Sequence, residues 1–177
     1  MLRGARASDA EVLAAIYGHH VEHGVGTFEE RPPSPAEMGE RLAAVQTRGL
    51  PWVVVQEGGE VKAFAYASPF RLRAAYRYTA EDSVYVAPGS ERLGYGGAAL
   101  AAVVGACEAL GLRQLLAVIG DSGNEGSLGV HRALGFEPSG VLPAVGFKHG
   151  RWIDVMLMTK ALNGGAASLP LEAGLDF

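Results

Sequence analysis

The chain reads as a mixed α/β domain, one sheet covered by helices on both faces, and three observations predict it. Apolar stretches with the two-residue alternation of strands outnumber those with helical spacing. A Gly58-Gly59 turn joins two β-branched runs into an early hairpin. In the second half the segments follow the order β-α-β-α-β-β, in which helices cross between strands. The 177 residues suit one domain of ordinary size, and 49% hydrophobic with 19% charged residues is the balance of a chain that buries a continuous core.

Residues 1–7 supply a short first strand. Ser8 and Asp9 are expected to cap a helix whose apolar positions Val12, Leu13, Ile16 and Tyr17 recur at helical spacing. A glycine-rich turn at Gly24–Gly26 leads to Thr27-Phe28, and Pro32, Pro33 and Pro35 interrupt the chain again. Ala36–Arg48 is the second helix, ended by Gly49 and Pro51. Trp52–Gln56 and Val61–Ala67 are the hairpin strands, Arg71–Arg77 is a cationic, aromatic loop, and Tyr78–Val86 is the next strand. A third helix is expected over Ala98–Leu110, a strand over Gln114–Ile119, and a fourth helix over Glu125–Leu134, opened by Asn124 and ended by Gly135. Two further strands, Gly140–Phe147 and Trp152–Leu162, flank the turn His149-Gly150. The domain is expected to span residues 1–162, with 163–177 a loose tail that is small, polar and proline-bearing.

Composition excludes several function classes. A net charge of −4 offers no basic surface for nucleic acid. No run approaches the ~18 apolar residues of a membrane span, and Met-Leu-Arg-Gly-Ala-Arg lacks the apolar core of a signal peptide. The single Cys107 rules out an internal disulfide, fits a cytoplasmic protein, and sits among Ala and Val as a buried structural thiol.

Chemistry concentrates in Val84–Leu100. An alternating apolar strand runs into Pro88, then into a loop with Gly94, Gly96 and Gly97, then into an Ala/Leu/Val helix. Such a turn aims several backbone N–H groups at one point, and the positive helix end adds to them, giving a cradle for phosphate or pyrophosphate. Val84-Tyr-Val-x-Pro followed by Glu91-x-x-Gly94-x-Gly96 resembles the acyl-CoA signature of the GNAT N-acetyltransferases, with Glu91 where that family has Arg or Gln. Further motifs resemble its phosphinothricin acetyltransferase branch: Ile16-Tyr17-x-His19, Thr27-Phe28-Glu29, Tyr76-Arg77-x-Thr79-x-Glu81-x-Ser83, Asn124-x-x-Ser127-x-x-x-His131-x-x-x-Gly135-Phe136, and Val145-Gly146-Phe147-Lys148-x-Gly150-Arg151-Trp152-x-Asp154. The resemblance covers residues 3–162 and implies an α+β fold with a mostly antiparallel central sheet. It also implies acetyl-CoA as donor without a metal, and a homodimer acting on the α-amino group of a small amino-acid analogue such as phosphinothricin, methionine sulfoximine or methionine sulfone. Gly18 and Ala80 depart from the branch, which commonly has Asn and Val there.

Acetyl transfer to an amine needs the neutral amine, and a carboxylate of raised pKa can take the proton. Strand alternation puts Glu81, Ser83 and Tyr85 on one face and Val84 and Val86 on the other. The resemblance puts the general base at Glu81; a strand carboxylate paired with Arg77 is the alternative. By the same resemblance His131 stands where relatives place the acid that protonates the leaving thiolate, against a structural histidine under the loop. Asn124 would bond the pantetheine arm, cap its helix, or both. The resemblance gives the loop Arg92, Leu93, Gly94, Tyr95, Gly96 and Gly97 to the pyrophosphate, and the backbone of Val84, Tyr85 and Val86 to the pantetheine, with one amide polarising the thioester carbonyl. For the acceptor, Arg71, Arg73, Arg77 and Tyr76 fall in one loop beside Glu81, and guanidinium forks suit an anionic amino acid; a solvated charge run is the alternative. Phe28 would wall the acceptor side or pack in the core. His19, His20 and His23 are expected as a solvent-facing cluster, and Lys148–Arg151 as a small basic turn that is a subunit contact or a surface element. The chain therefore reads as an acetyl-CoA-dependent N-acetyltransferase working by direct transfer in a ternary complex, with a catalytically lapsed acyl-CoA-binding or sensing protein as the rival.

Overall fold

The computed structural model describes residues 1–176. Its elements run β1 (Leu2–Gly4), α1 (Ala10–His23), α2 (Pro35–Thr47), β2 (Trp52–Glu57), β3 (Glu60–Pro69), β4 (Thr79–Val86), α3 (Tyr95–Ala109), β5 (Gln114–Gly120), α4 (Glu125–Ala133), β6 (Glu137–Lys148) and β7 (Arg151–Ala161). The strands form one sheet of order β1-β2-β3-β4-β5-β7-β6. Among the described residues β4 and β5 are the parallel pair and the remaining neighbours are antiparallel. The mixed, mostly antiparallel sheet expected from the sequence is the one observed. No helix among the described residues is long and apolar enough to cross a membrane.

Register sorts the side chains onto two faces. Trp52 pairs with Tyr66, Tyr66 with Ser83, and Phe64 with Tyr85, so these residues share a face. Their rings stack, Trp52 on Tyr66 at 4.1 Å and Phe64 on Tyr85 at 5.2 Å between centroids, and Tyr17 of α1 meets Tyr85 edge-on at 4.8 Å. α1 and α2 cover this aromatic face. The opposite face carries Ala63, Ala65, Ala67 and Ala80, all buried, and its small side chains admit α3 close to the sheet through Leu100, Val103 and Cys107. Burial pushes the Cys107 thiol up to about 12, so it stays an inert core group.

Several local readings are revised. Neither Ser8 nor Asp9 caps α1 through its side chain. Residues Ala7–Asp9 form a 3₁₀ turn instead, and the Asp9 carboxylate accepts from the Arg6 N–H at 2.7 Å and from the Arg3 guanidinium at 2.7 and 2.8 Å. α2 is capped at Ser34, whose hydroxyl accepts from the Glu37 N–H while the Glu37 carboxylate reaches back to the Ser34 N–H, with Pro35 at the first helical position. α3 begins at Tyr95, three residues before the expected Ala98, because Gly94 takes φ 87° and turns the chain into the helix there. Residues after Leu162, expected as a loose tail, are tied to the body: Arg113 donates to the Ser168 carbonyl at 2.8 Å, Tyr78 to the Glu172 carbonyl at 2.9 Å, and the Leu175 N–H to the Arg77 carbonyl at 2.8 Å.

Candidate active site

The pairing of β4 with β5 stops halfway along both strands. Thr79–Asp82 pair with Gln114–Ala117, but β4 continues to Val86 and β5 to Gly120 without further partners between them. The strands part like a wedge, and Asp82 and Ala117 form its closed end. A cavity of about 560 Å³ fills the opening, lined by Asp82–Val86, by Ala117–Ile119, by the starts of α3 and α4, and by His20 with Gly24–Gly26. Beyond Asp82 the β4 edge faces no strand, so an extended amide-bearing ligand can pair with it. The Val86 carbonyl on this stretch already accepts a hydrogen bond from His20 Nε2 at 2.8 Å. His20 is half-buried, so the histidine cluster expected to face solvent sends one member into the wedge, and burial holds its pKa down against the Val86 hydrogen bond. His19 and His23 stack on each other at 4.5 Å.

The glycine loop closes one side. Arg92 and Gly94 adopt φ of 60° and 87°, which curls the loop so that its amides precede the N-terminus of α3. A Cβ on Gly94 would meet nothing within 4 Å, so this glycine serves the turn. Gly96 serves packing, since its Cβ would lie 3.0 Å from a Val86 methyl. Gly97 lies against Val130 of α4. Arg92, Gly94, Gly96, Gly97 and Asn124 all line the cavity, together with Glu91. Leu93 and Tyr95 do not line it: Leu93 is exposed, and the Tyr95 hydroxyl is drawn to the Glu57 carboxylate. The left-handed turn at Gly94 separates both side chains from the cavity. Asn124 caps α4, its Oδ1 accepting from the Ser127 N–H at 3.1 Å, and its Nδ2 is turned towards Gly26 across the opening.

His131 and Asp82 meet inside the wall. His131 Nε2 lies 2.9 Å from Asp82 Oδ2, and both residues are nearly inaccessible. His131 Nδ1 donates to the Ser127 carbonyl at 2.7 Å, so the ring nitrogens are both engaged. Burial works against the imidazolium, but the Asp82 hydrogen bond and charge, with the Ser127 carbonyl, outweigh it and hold His131 above its ordinary pKa. Burial also pushes the Asp82 carboxyl up, against the attraction of His131. Asp82 was not singled out from sequence, although a carboxylate in the inward register of Ala80, Val84 and Val86 carried the signal.

Glu81 lies on the opposite face, half-buried, and takes part in no ion pair among the described residues. The alternative pairing with Arg77 does not form: Arg77 Nε donates to the Ala74 carbonyl at 2.7 Å. Burial raises the Glu81 pKa, the Asp82 charge raises it further, and Arg71 opposes both. The loop Arg71–Arg77 is exposed throughout and lies outside the cavity. Arg71 lies over the Phe70 ring at 4.4 Å, Tyr76 meets that ring edge-on at 5.5 Å, and Arg73 is exposed.

Phe28 packs over the end of the sheet against Gly120 of β5 and Gly146 of β6: a Cβ on Gly146 would lie 2.3 Å from its ring and one on Gly120 3.0 Å from it. The loop before it is held by Lys148, which is not the surface group expected. Lys148 is 3% exposed, and its Nζ donates to the Thr27 carbonyl at 2.8 Å. The Thr27 hydroxyl lies 2.9 Å from the Tyr17 hydroxyl, which donates to Glu29, and Glu29 pairs with Arg41 at 2.7 Å. Distance in sequence hid this network.

Comparisons with known proteins fit this geometry. The model of the acetyltransferase (GNAT) family matches residues 15–136. The chain is 48% identical over 169 residues to a phosphinothricin N-acetyltransferase of Alcaligenes faecalis, covering 96% of this chain and 86% of that protein. It is 37% identical to an L-methionine sulfoximine/L-methionine sulfone acetyltransferase of Pseudomonas aeruginosa, over 89% of this chain and 91% of the relative. The crystal structure of a GNAT superfamily phosphinothricin acetyltransferase from Sinorhizobium meliloti in complex with AcCoA superimposes with a TM-score of 0.93 at 46% identity, covering 98% of this chain and 94% of that one.

Proposed function

The chain belongs to the acetyltransferase (GNAT) family, and from that premise we propose that it transfers acetyl from acetyl-CoA to the α-amino group of a small amino-acid analogue of the phosphinothricin, methionine sulfoximine or methionine sulfone type. The observation that carries the reading is the wedge itself: an unpaired strand edge, the glycine-curled start of α3 and the Asn124-capped start of α4 converge on one cavity. Its donor set fits acetyl-CoA, with amides of the Arg92–Gly97 loop for pyrophosphate and the β4 edge for the pantetheine amides. The relatives described above support the same donor and acceptor class.

Acetyl-CoA supplies the activated acetyl thioester when bound. Val84–Val86 present backbone along the open edge, where an N–H can polarise the thioester carbonyl. Glu81, with its raised pKa, takes the proton from the ammonium of the acceptor and leaves the neutral amine to attack directly. Arg71, Arg73, Tyr76 and Arg77 fix the acceptor's anionic head, and Phe28, held by its contacts with Gly120 and Gly146, closes the side. Residues 1–162 form the catalytic domain, working in the cytoplasm.

The reading extends to a homodimer. The β6–β7 end of the sheet exposes Val141, Leu142, Val145, Phe147 and Trp152 together, an apolar surface on an edge strand that a second copy would cover. The test of the function is a thiol-release assay with methionine sulfone and phosphinothricin beside a calorimetric titration of CoA. Turnover with both partners present supports the reading; binding without turnover overturns it in favour of a sensing protein.

A further inference from the structure

At the closed end of the wedge, Asp82 and His131 are held as a pair by groups that leave little freedom for their protons. The Ser127 carbonyl accepts from His131 Nδ1 at 2.7 Å, and a carbonyl oxygen can only accept, so Nδ1 carries a hydrogen. The 2.9 Å contact from Nε2 to Asp82 Oδ2 then requires one more proton between the two atoms, on the imidazole or on the carboxyl. In either position the pair is neutral as a whole. The other carboxylate oxygen, Oδ1, is buried without a hydrogen-bond partner, although both residues line the cavity. The titratable group that acts on Asp82 is His131 of α4, while the Asp82 charge in turn raises the neighbouring Glu81 of β4 and the Cys107 thiol of α3. His131 is the one cation among them.

We propose that Asp82 and His131 form one proton-carrying unit in the wall of the wedge, in which Asp82 is the positioning residue that keeps the second imidazole proton in place for the departing thiolate. The proposal rests on the acetyl-transfer reading above and assigns a role to a residue outside it. The unit gives up one proton as the carbon–sulfur bond breaks: the electron pair of that bond stays on sulfur, and sulfur takes the proton held between Nε2 and Oδ2. Asp82 is left as a carboxylate beside a neutral imidazole, still protonated at Nδ1, and water returns the proton after release of the thiol. The arrangement explains why an ionisable pair is kept in an apolar wall, where replacement by apolar groups of similar volume would cost little or even stabilise.

The test uses the whole protein and two kinds of readout. Nitrogen-15 NMR of the imidazole, with no ligand added, should find both His131 nitrogens protonated at neutral pH, and in Asp82→Asn the second proton should be lost at a pH lower by more than one unit. Under saturating acetyl-CoA and acceptor, Asp82→Asn should lower kcat by about a hundred-fold, the lower end of the range for acid–base groups, with CoA affinity unchanged. Asp82→Ala should recover part of kcat on addition of formate and none with formamide, a distinction that lost packing alone would not produce. Should the variants fail to fold, the native protein still decides: kcat should fall again on the alkaline side, as the unit loses its proton. A kcat that only rises to high pH, or a singly protonated His131 at neutral pH, overturns the proposal. So does Asp82→Asn with native kcat. Native protein that releases no thiol with any acceptor overturns the acetyl-transfer reading, and the proposal with it; native turnover that is indifferent to Asp82 overturns the proposal alone.

Discussion

The donor flank and the acceptor flank of the proposed site are made of different materials. The donor flank is largely backbone and nearly contiguous: the β4 edge, the Arg92–Gly97 turn and the start of α4, with the Asp82–His131 contact bracing it from behind. The acceptor flank is side chain and scattered: Glu81, the exposed Arg71–Arg77 loop, and Phe28 on a loop held by Lys148 and Tyr17. Backbone amides recognise what every acetyl-CoA presents and cannot be exchanged by mutation. Exposed arginines on a loop can be exchanged one at a time, so acceptor choice can drift while the donor flank stays fixed. Each variant below should therefore disturb one flank and spare the other.

The largest effect belongs to the acceptor flank. Glu81→Gln should reduce kcat by about 10²–10⁴-fold if proton removal limits the rate, with calorimetric CoA affinity unchanged. Burial, helped by the Asp82 charge, raises the Glu81 pKa, and the base works only when ionised. Native kcat should therefore climb with pH through a range above that of an ordinary carboxylate, and the loss in the variant should shrink at high pH where free amine is abundant. Native rates at neutral pH in Glu81→Gln would remove the base and leave the acceptor flank a mere binding surface.

Next comes a pair of glycines on the donor flank that should fail differently. Gly94 stands at φ 87° with open space around it, so Gly94→Val strains the turn by about 1–3 kcal/mol and should weaken CoA binding roughly tenfold or more. Gly96→Val pushes against Val86 in the helix–strand contact, so melting temperature should drop first, by an overpacking cost of about 1–3 kcal/mol. Calorimetry beside thermal unfolding separates the two. Equal CoA affinity in folded Gly94→Val would mean that the amides do not hold the donor.

A smaller effect is expected from Arg71→Lys and Arg73→Lys, which keep the charge and lose the planar fork. KM for methionine sulfone or phosphinothricin should rise by about three- to tenfold while CoA affinity holds. The exposed position of the loop keeps the effect moderate, since water competes for every contact. Acetylation of polyamines or peptides faster than of these amino acids would sever the loop from acceptor choice and leave the donor flank untouched.

The difference between the flanks also governs what the sequence could reveal. Helix and strand periodicity located the eleven elements to within a few residues, because burial of one face imposes the pattern locally. The start of α3 was misplaced because Gly96 and Gly97 look like loop residues, whereas they sit inside the helix to let Val86 and Val130 approach. The residues proposed for the donor flank could be named from the sequence because they are neighbours in the chain. Lys148 and His20 were misread as surface groups: a lysine donating to Thr27 and a histidine donating to Val86 are stabilised by carbonyls 121 and 66 residues away, and no local pattern announces such partners. Asp82 lay between the two cases, visible as a charge in an apolar register but without meaning until α4 brought His131 to it.

The smallest effect tests the one feature in which the donor flank departs from its own logic. Glu91 lines the cavity beside the cradle proposed for phosphate, and it is exposed. Its charge is felt by His20, across the opening, which places the carboxylate in the field of the wedge. Two unit charges about 8 Å apart in water repel by roughly 0.5 kcal/mol, about a twofold change in affinity for each phosphate charge met at that distance. Glu91→Gln should accordingly tighten CoA binding by about two- to fivefold at low ionic strength. The gain should fade as salt is raised and the screening length drops to about 8 Å near physiological ionic strength. Acceptor KM should stay where it is, because the acceptor flank contains none of this charge. A gain that survives high salt would mean a direct contact in place of a field effect, and no gain at any salt would mean that Glu91 points to water and the cradle is complete without it.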